Sequence, residues 1–163
     1  MTDAQYIKAV DSFSDCLFRI AFSYCKNRHD AEDAVQDTFL KFYTCTKTFE
    51  GDEHIKNYLI KITVNNCKHL HISPWKKRID LVEYQNEESY QMENVEENML
   101  VYSAVMKLPE KYRIVTHLYY FEDYSIKDIS KLISEKETTV QTRLMRARQK
   151  LKEELKEVWQ DEN

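Results

Sequence analysis

Residues 125–152 read SIKDISKLISEKETTVQTRLMRARQKLK. Ser125 is a good N-cap, and Asp128 makes a variant of the capping box, so a helix is expected to start there. Ile126, Ile129, Leu132 and Ile133 follow at helical spacing. Ser134 to Glu137 interrupts the pattern without Gly or Pro. Thr138 and Gln141 then repeat a T-x-x-Q box, and Val140, Leu144, Ala147, Leu151 and Leu155 form one apolar stripe. Two short capped helices with a tight connection, the second basic, outline a helix-turn-helix. The alternative is an ordinary helical hairpin with a solvated basic face. Charge weighs against it. From Lys136 to Lys152, the bases Lys136, Arg143, Arg146, Arg148, Lys150 and Lys152 stand against the single acid Glu137, which points to DNA.

The rest of the chain is compatible with a DNA-binding protein built of helices. It has 163 residues, enough for one domain or two small ones, with 42% hydrophobic and 32% charged residues. One Gly and two Pro argue against a turn-rich sheet protein. No apolar run approaches the roughly 18 residues of a membrane span, and the N-terminus lacks a basic region followed by an apolar one, so a cytoplasmic protein is expected. Cys16, Cys25, Cys45 and Cys67 have no C-x-x-C spacing and read as reduced core residues. Cys67, His69 and His71 do not share one helix face, so no metal site is expected. The net charge of −4 is not spread evenly. Residues 1–80 carry 12 basic and 11 acidic side chains, and residues 100–163 carry the same numbers. Residues 81–99 hold six glutamates and no base, so the acidity belongs to a connection between two near-neutral parts. Local basic faces steer nucleic acid better than totals do.

Before that connection, Tyr6, Val10, Phe13, Leu17, Ala21 and Tyr24 repeat every three to four residues, so the first helix or pair of helices packs inward. Asp30 is expected to cap the next helix, DAEDAVQDTFLKFYT, with Ala31, Ala34, Val35, Thr38, Phe39 and Phe42 inward. Asp33, Gln36, Asp37 and Leu40 line its other side; taken alone, that reads first as a solvated acidic face near a helix N-terminus. FEGDEH, Phe49 to His54, is expected to be a loop. A helix from about Ile55 to Ile72 should then turn Ile55, Leu59, Ile62, Asn66 and Leu70 to the core. His54, Asn57, Tyr58, Lys61, Asn65 and Lys68 would face away. From Lys56 to Arg78 there are six bases and no acid. An aromatic among cations and amides suits single-stranded nucleic acid, though a solvated basic helix with one exposed tyrosine reads the same way. Ser73-Pro74 should end this helix. Periodicity returns with Leu100, Val101, Ala104, Val105 and Leu108, and Pro109 can open a helix running through Ile114, Val115, Leu118 and Tyr119 to Phe121.

With these stretches placed, the chain resembles a bacterial RNA polymerase sigma factor of the extracytoplasmic-function class. The likeness covers about residues 10–78 and 98–155. DAEDAVQDTFLKFY resembles the family's polymerase-clamp-binding helix, and FEGDEHIKNYLIKITVNNCKHLH the segment that opens and reads the −10 element. LPEKYRIVTHLYYFEDYSIKDISKLI with TTVQTRLMRARQKL resembles the domain that reads the −35 element. Each motif is moderately specific, and their order around an acidic linker is much more so. Tyr58 stands where a tryptophan is common, and His69 where an acid is frequent. Ser134, Glu135 and Thr138 replace the usual glycine-containing turn, so Ser134 must take the backbone a glycine allows.

The resemblance implies an all-α protein of two small helical domains joined by a flexible acidic linker, the C-terminal one a helix-turn-helix. The expected domains are 1–78, a linker at 79–98, and 99–163. It implies a transcription initiation factor, not an enzyme, that binds core RNA polymerase through the β′ clamp and β flap, recognises and helps melt promoter DNA, and answers to an anti-sigma factor. No cofactor is implied. Asp33, Gln36, Asp37 and Leu40 are the expected polymerase contacts. Phe49, Glu50, Gly51, Tyr58, Lys61, Asn65 and Lys68 are expected at the −10 element, with Asn65 beside the pocket for a flipped base and the loop as its other wall. Lys136, Thr139, Gln141, Thr142, Arg143, Met145, Arg146, Arg148 and Lys150 are expected at the −35 element. With Val140, Leu144, Ala147 and Leu151 buried, Thr138, Thr142, Met145, Arg146 and Gln149 point outward, and Gln141, Arg148 and Lys152 lie on one flank. Base reading should then fall to Gln141, Thr142, Met145 and Arg146. Lys136, Arg148 and Lys150 should serve phosphates, and Arg143 a phosphate or a neighbouring acid. The rival readings are a helix-turn-helix regulator that acts without stable polymerase binding, and a helical adaptor that never touches DNA.

Overall fold

Thr2 begins the first helix by a reciprocal cap. Its hydroxyl accepts from the Gln5 N–H, and the Gln5 side chain accepts from the Thr2 N–H at 3.0 Å. In the computed structural model, which describes residues 1–72 and 96–161, the helix runs unbroken as α1, Asp3–Cys25. It ends on Lys26 in the left-handed region, φ 51°. Helix α2 spans Arg28–Tyr43 and is capped by Asn27, whose side chain accepts from the Asp30 N–H at 3.0 Å. Asp30 is therefore not the cap, as the sequence led one to expect, but a first-turn acid that favours the dipole. Helix α3 spans Asp52–Ile72 and starts before the expected Ile55, taking in Asp52 to His54.

These three helices pack pairwise into one unit. Leu17, Ile20 and Ala21 of α1, Ala31 and Phe42 of α2, and Leu59, Ile60, Val64 and Cys67 of α3 are fully buried. The core face of α3 differs from the expected one. Leu59 and Asn66 are buried as expected, but Ile62 and Leu70 are only half-buried, while Ile60, Thr63, Val64 and Cys67 fill the core. The reason is that α3 packs on both α1 and α2, which demands a wide buried arc, and that a polar pair sits inside it. Thr38 and Thr63 share a hydrogen bond of 3.0 Å between hydroxyls; the Asn66 amide donates to Thr38 Oγ1 and to the Ala34 carbonyl. Lys41 Nζ donates to Asn66 Oδ1 at 2.6 Å. Buried polar atoms satisfied this fully cost little and tie α2 to α3 in one register.

The second unit holds α4 (Glu96–Met106), α5 (Glu110–Thr116), a π-helical turn (His117–Phe121), α6 (Ile126–Ile133) and α7 (Glu137–Asp161). Most of the acidic linker expected at 79–98 lies outside the described residues, and α4 takes in its last positions from Glu96. Pro109 is the N-cap of α5, and the enclosed Arg113 donates from Nη1 to the Leu108 carbonyl at 3.0 Å. The helix expected through Phe121 does not continue as an α-helix. From His117 the ladder widens, the Glu122 N–H bonding back to the His117 carbonyl at 3.2 Å. Val105, Leu108, Tyr112 and Ala147 form the core cluster, with Phe121 and Leu151 against it. Ile129, Leu132 and Ile133 of α6 and Val140 and Leu144 of α7 are also buried, so the α7 stripe sits where the sequence put it. No described helix is long and apolar enough to cross a membrane.

Candidate nucleic-acid interface

The α6–α7 pair has the helix-turn-helix connection. The Ser125 hydroxyl accepts from the Asp128 N–H, and α6 ends on Ser134 at φ 57°, ψ 46°. Ser134 does take the left-handed backbone that glycine would adopt freely. Thr138 does not cap α7, contrary to the T-x-x-Q reading. The helix begins at Glu137, and Thr138 is inside it, its carbonyl accepting from the Thr142 hydroxyl at 2.9 Å.

Along α7 the expected DNA-facing side chains Gln141, Thr142, Met145, Arg146, Arg148 and Lys150 are exposed, as is Lys136 ahead of it. Thr139 is half-buried. Arg143 is half-buried and bonds Glu135 at 3.3 Å, so of its two expected partners it has the acid. The cations divide between two edges, each leaning on tyrosine. On one edge Lys150 lies 5.9 Å from the centroid of Tyr112. The nearby Arg146 guanidinium holds the Tyr112 phenol below its ordinary pKa. Arg146 is exposed and shares this edge with Lys150. On the opposite edge Arg148 Nε donates to the Tyr120 hydroxyl at 2.7 Å and lies over both Tyr119 and Tyr120. The sequence reading missed these three tyrosines. The only signal was a pair of adjacent tyrosines that fits no helical period.

In the first unit, Asp33, Gln36, Asp37 and Leu40 lie together on the exposed side of α2, with Leu40 62% exposed. Asp33 pairs with His29 at 3.2 Å and Asp37 with Lys41 at 2.9 Å. The segment before α3 is built on aromatics. Phe49 packs against Phe42, His54 and Tyr58 at centroid distances of 5.6, 5.2 and 5.1 Å. Tyr58 is therefore half-buried and not a free platform. Its hydroxyl donates to Cys45 Sγ at 3.3 Å, with Lys47 Nζ 5.0 Å from its ring centroid. Cys45 follows α2 and is half-exposed, unlike the other three cysteines, which are buried as expected. The bond to Cys45, followed by burial, pushes the Tyr58 phenol up to about 12. Burial raises the Cys45 thiol, but the Tyr58 hydroxyl, the Lys47 amide and the Lys47 charge outweigh it and leave the thiol below its ordinary value.

Glu50, Gly51, Lys61 and Asn65 are exposed and Lys68 is half-buried. Gly51 has no positive φ, and a Cβ there would meet nothing, so no local geometry demands glycine. A cavity of about 420 Å³ opens beside the loop, lined by Gln5, Lys8, Phe13, Phe42, Lys47 and Phe49 among others. Its far wall is α1, and Asn65 is not among its lining residues. Cys67 is buried and His69 exposed, so these two do not converge.

The Sigma-70 region 2 family matches residues 9–73, and Sigma-70, region 4 matches residues 98–151. The chain is 30% identical over 148 residues to RNA polymerase sigma factor SigV of Bacillus subtilis, covering 90% of this chain and 88% of that protein. It is 25% identical to the extracytoplasmic-function sigma factor SigW of the same organism, covering 91% and 88%. Among solved structures, the sigma factor RpoE in complex with the anti-sigma factor NepR from Bartonella quintana has the same fold. The TM-score is 0.70 at 22% identity, over 93% of this chain and 97% of that one. With both regions matched in order around the interface just described, the chain belongs to the RNA polymerase sigma factors of the extracytoplasmic-function class.

Proposed function

We propose that this protein is a promoter-specific transcription initiation factor that binds core RNA polymerase, brings it to its promoters and helps open them. The observation that carries the reading is the pairing, in one chain, of a region 2 unit with a helix-turn-helix whose α7 exposes bases and amides along its outer side. The match over residues 9–73 speaks against a regulator that works without polymerase. The protein acts in the cytoplasm, where polymerase and promoters are, and does no covalent chemistry.

Within that reading, Asp33, Gln36, Asp37 and Leu40 meet the polymerase β′ clamp, and the second unit meets the β flap. Phe49, Glu50, Gly51, Tyr58, Lys61, Asn65 and Lys68 serve the −10 element. Phe49 and Tyr58 act there by bracing the loop, while Lys61 and Asn65 are open to the melted strand. Gln141, Thr142 and Met145 read −35 bases, joined by Arg146 from the Tyr112 edge. Lys136, Arg148 and Lys150 hold phosphates, and Arg143 braces the turn through Glu135. The RpoE structure holds an anti-sigma factor, which supports the same kind of partner here.

The polymerase contact is tested by Asp33→Ala with Asp37→Ala. Both acids are about half-exposed and paired within their own helix, and such pairs contribute only about 0.3–0.5 kcal/mol each, so folding should survive. Loss of two charges at an interface should weaken core binding about tenfold, roughly 1.4 kcal/mol, mostly through association rate. Core affinity within twofold of the parent, measured by fluorescence anisotropy, would remove this face from the contact.

A further inference from the structure

The π-helical turn His117–Phe121 carries two consecutive tyrosines that lie against Arg148 of α7. Arg148 Cζ lies 5.6 Å from the Tyr119 centroid and 5.7 Å from that of Tyr120. The two rings meet edge to face at 4.9 Å. Tyr120 is 49% exposed, so its ring is not held there by burial; its hydroxyl accepts the Arg148 Nε–H at 2.7 Å.

An exposed arginine carries several rotatable bonds and loses their freedom when it grips a phosphate. A guanidinium has five donors in a planar fork. Committing Nε–H to Tyr120 fixes that plane, and the donors of the fork not turned to Tyr119 are left for a phosphate. We infer that Tyr120, presented by the π turn, is a positioning residue that pre-orients Arg148 for a phosphate beside the major groove. The inference rests on the reading above that Arg148 contacts DNA backbone. It adds an element outside the helix-turn-helix, His117–Phe121, to the binding apparatus. Lys150 on the other edge lies 5.9 Å from the Tyr112 centroid, a looser contact than the 2.7 Å bond of Arg148 to Tyr120, so the two edges differ in how firmly their cations are held.

The test uses the full chain and a mixed-sequence DNA duplex, since phosphate contacts do not depend on sequence. Affinity is measured across a salt series for the parent, Tyr120→Phe, Arg148→Ala and the double variant. Arg148→Ala should weaken binding roughly tenfold and lower the salt slope by about one. Tyr120→Phe keeps the ring and loses the hydroxyl, and should weaken binding roughly threefold to tenfold through lost pre-organisation. The double variant should bind no worse than Arg148→Ala alone. Arg148→Gln, which keeps length and helix propensity, replaces Arg148→Ala if that variant unfolds. If Arg148→Ala weakens binding but Tyr120→Phe does not, or its loss adds in full to that of Arg148→Ala, positioning is overturned while the phosphate contact stands. If Arg148→Ala leaves affinity and slope unchanged, the backbone contact itself fails and the positioning role goes with it.

Discussion

Tyr58 and Cys45 show how a single contact changes what a residue can do. From its place among lysines and asparagines, Tyr58 reads as a stacking platform, yet its ring is packed on Phe49 and Phe42 and its hydroxyl is spent on Cys45. A base that stacks here would have to use the remaining face, which Lys47 overhangs. The same bond makes Cys45 the most reactive thiol among the four, because Cys16, Cys25 and Cys67 are buried and Cys45 is partly exposed with a depressed pKa. Alkylation reports the thiolate, so its rate climbs as pH rises through the thiol pKa, and a lowered pKa moves that climb to lower pH. Iodoacetamide should modify Cys45 first, located by peptide mass spectrometry. Tyr58→Phe removes a hydrogen bond that favours the thiolate and should move the rate profile to higher pH. A profile unmoved by Tyr58→Phe would mean that the hydroxyl does not tune this thiol. Neither Cys45 nor Lys47 was legible in advance, because both lie in the coil after α2, where no period betrays which side chains meet.

The elements themselves were mostly legible, and where they were not the cause is physical. Helix α7 follows its pattern because its partners α4, α5 and α6 all meet one side of it and leave the other in solvent, giving a narrow stripe. Helix α3 departs from its pattern because two neighbours bury it, and Thr63 and Asn66 enter the core as a satisfied network that a hydrophobic stripe cannot reveal. The π turn has no period-based signal at all, since its widened ladder is a one-turn event. Ser134 was legible in advance, and it carries a cost. A left-handed non-glycine residue is strained by about 1–2 kcal/mol, only partly offset by the extra chain entropy of glycine. Ser134→Gly should therefore stabilise the second unit by about 0.5–1 kcal/mol in urea unfolding, leaving DNA affinity unchanged. A destabilised Ser134→Gly variant would show that the serine side chain does more at the turn than tolerate its backbone. The register of α7 is checked by two further substitutions. Gln141→Ala should cost about 1–3 kcal/mol on the matching promoter and relax selectivity at one base step, whereas Lys150→Ala should weaken all sequences alike and lower the salt slope by about one. Selection on a randomised −35 library separates the two, and a base preference shifted by Lys150→Ala would rotate the helix from the orientation described.

At the scale of the whole molecule, charge and function agree once the chain is divided. A net −4 is unfavourable for a DNA binder, but the six glutamates of residues 81–99 account for it, and each remaining part keeps its basic face. The chain divides into two compact units, and the family matches over residues 9–73 and 98–151 fall one in each. What the sequence could not convey was the division of labour inside each face, because exposure and pairing depend on neighbours remote in the chain. Arg143 and Arg146 are alike in sequence, yet one is tied to Glu135 and the other lies exposed near Tyr112. The central claim is that this chain gives core polymerase its choice of promoter. Reconstituted transcription on a library of genomic fragments tests it most directly, with core enzyme alone as the reference. The account predicts that adding the protein yields transcripts from a small set of fragments sharing common −35 and −10 sequences. If the protein bound DNA but left core enzyme as silent as before, with no selected start sites, the account would be contradicted.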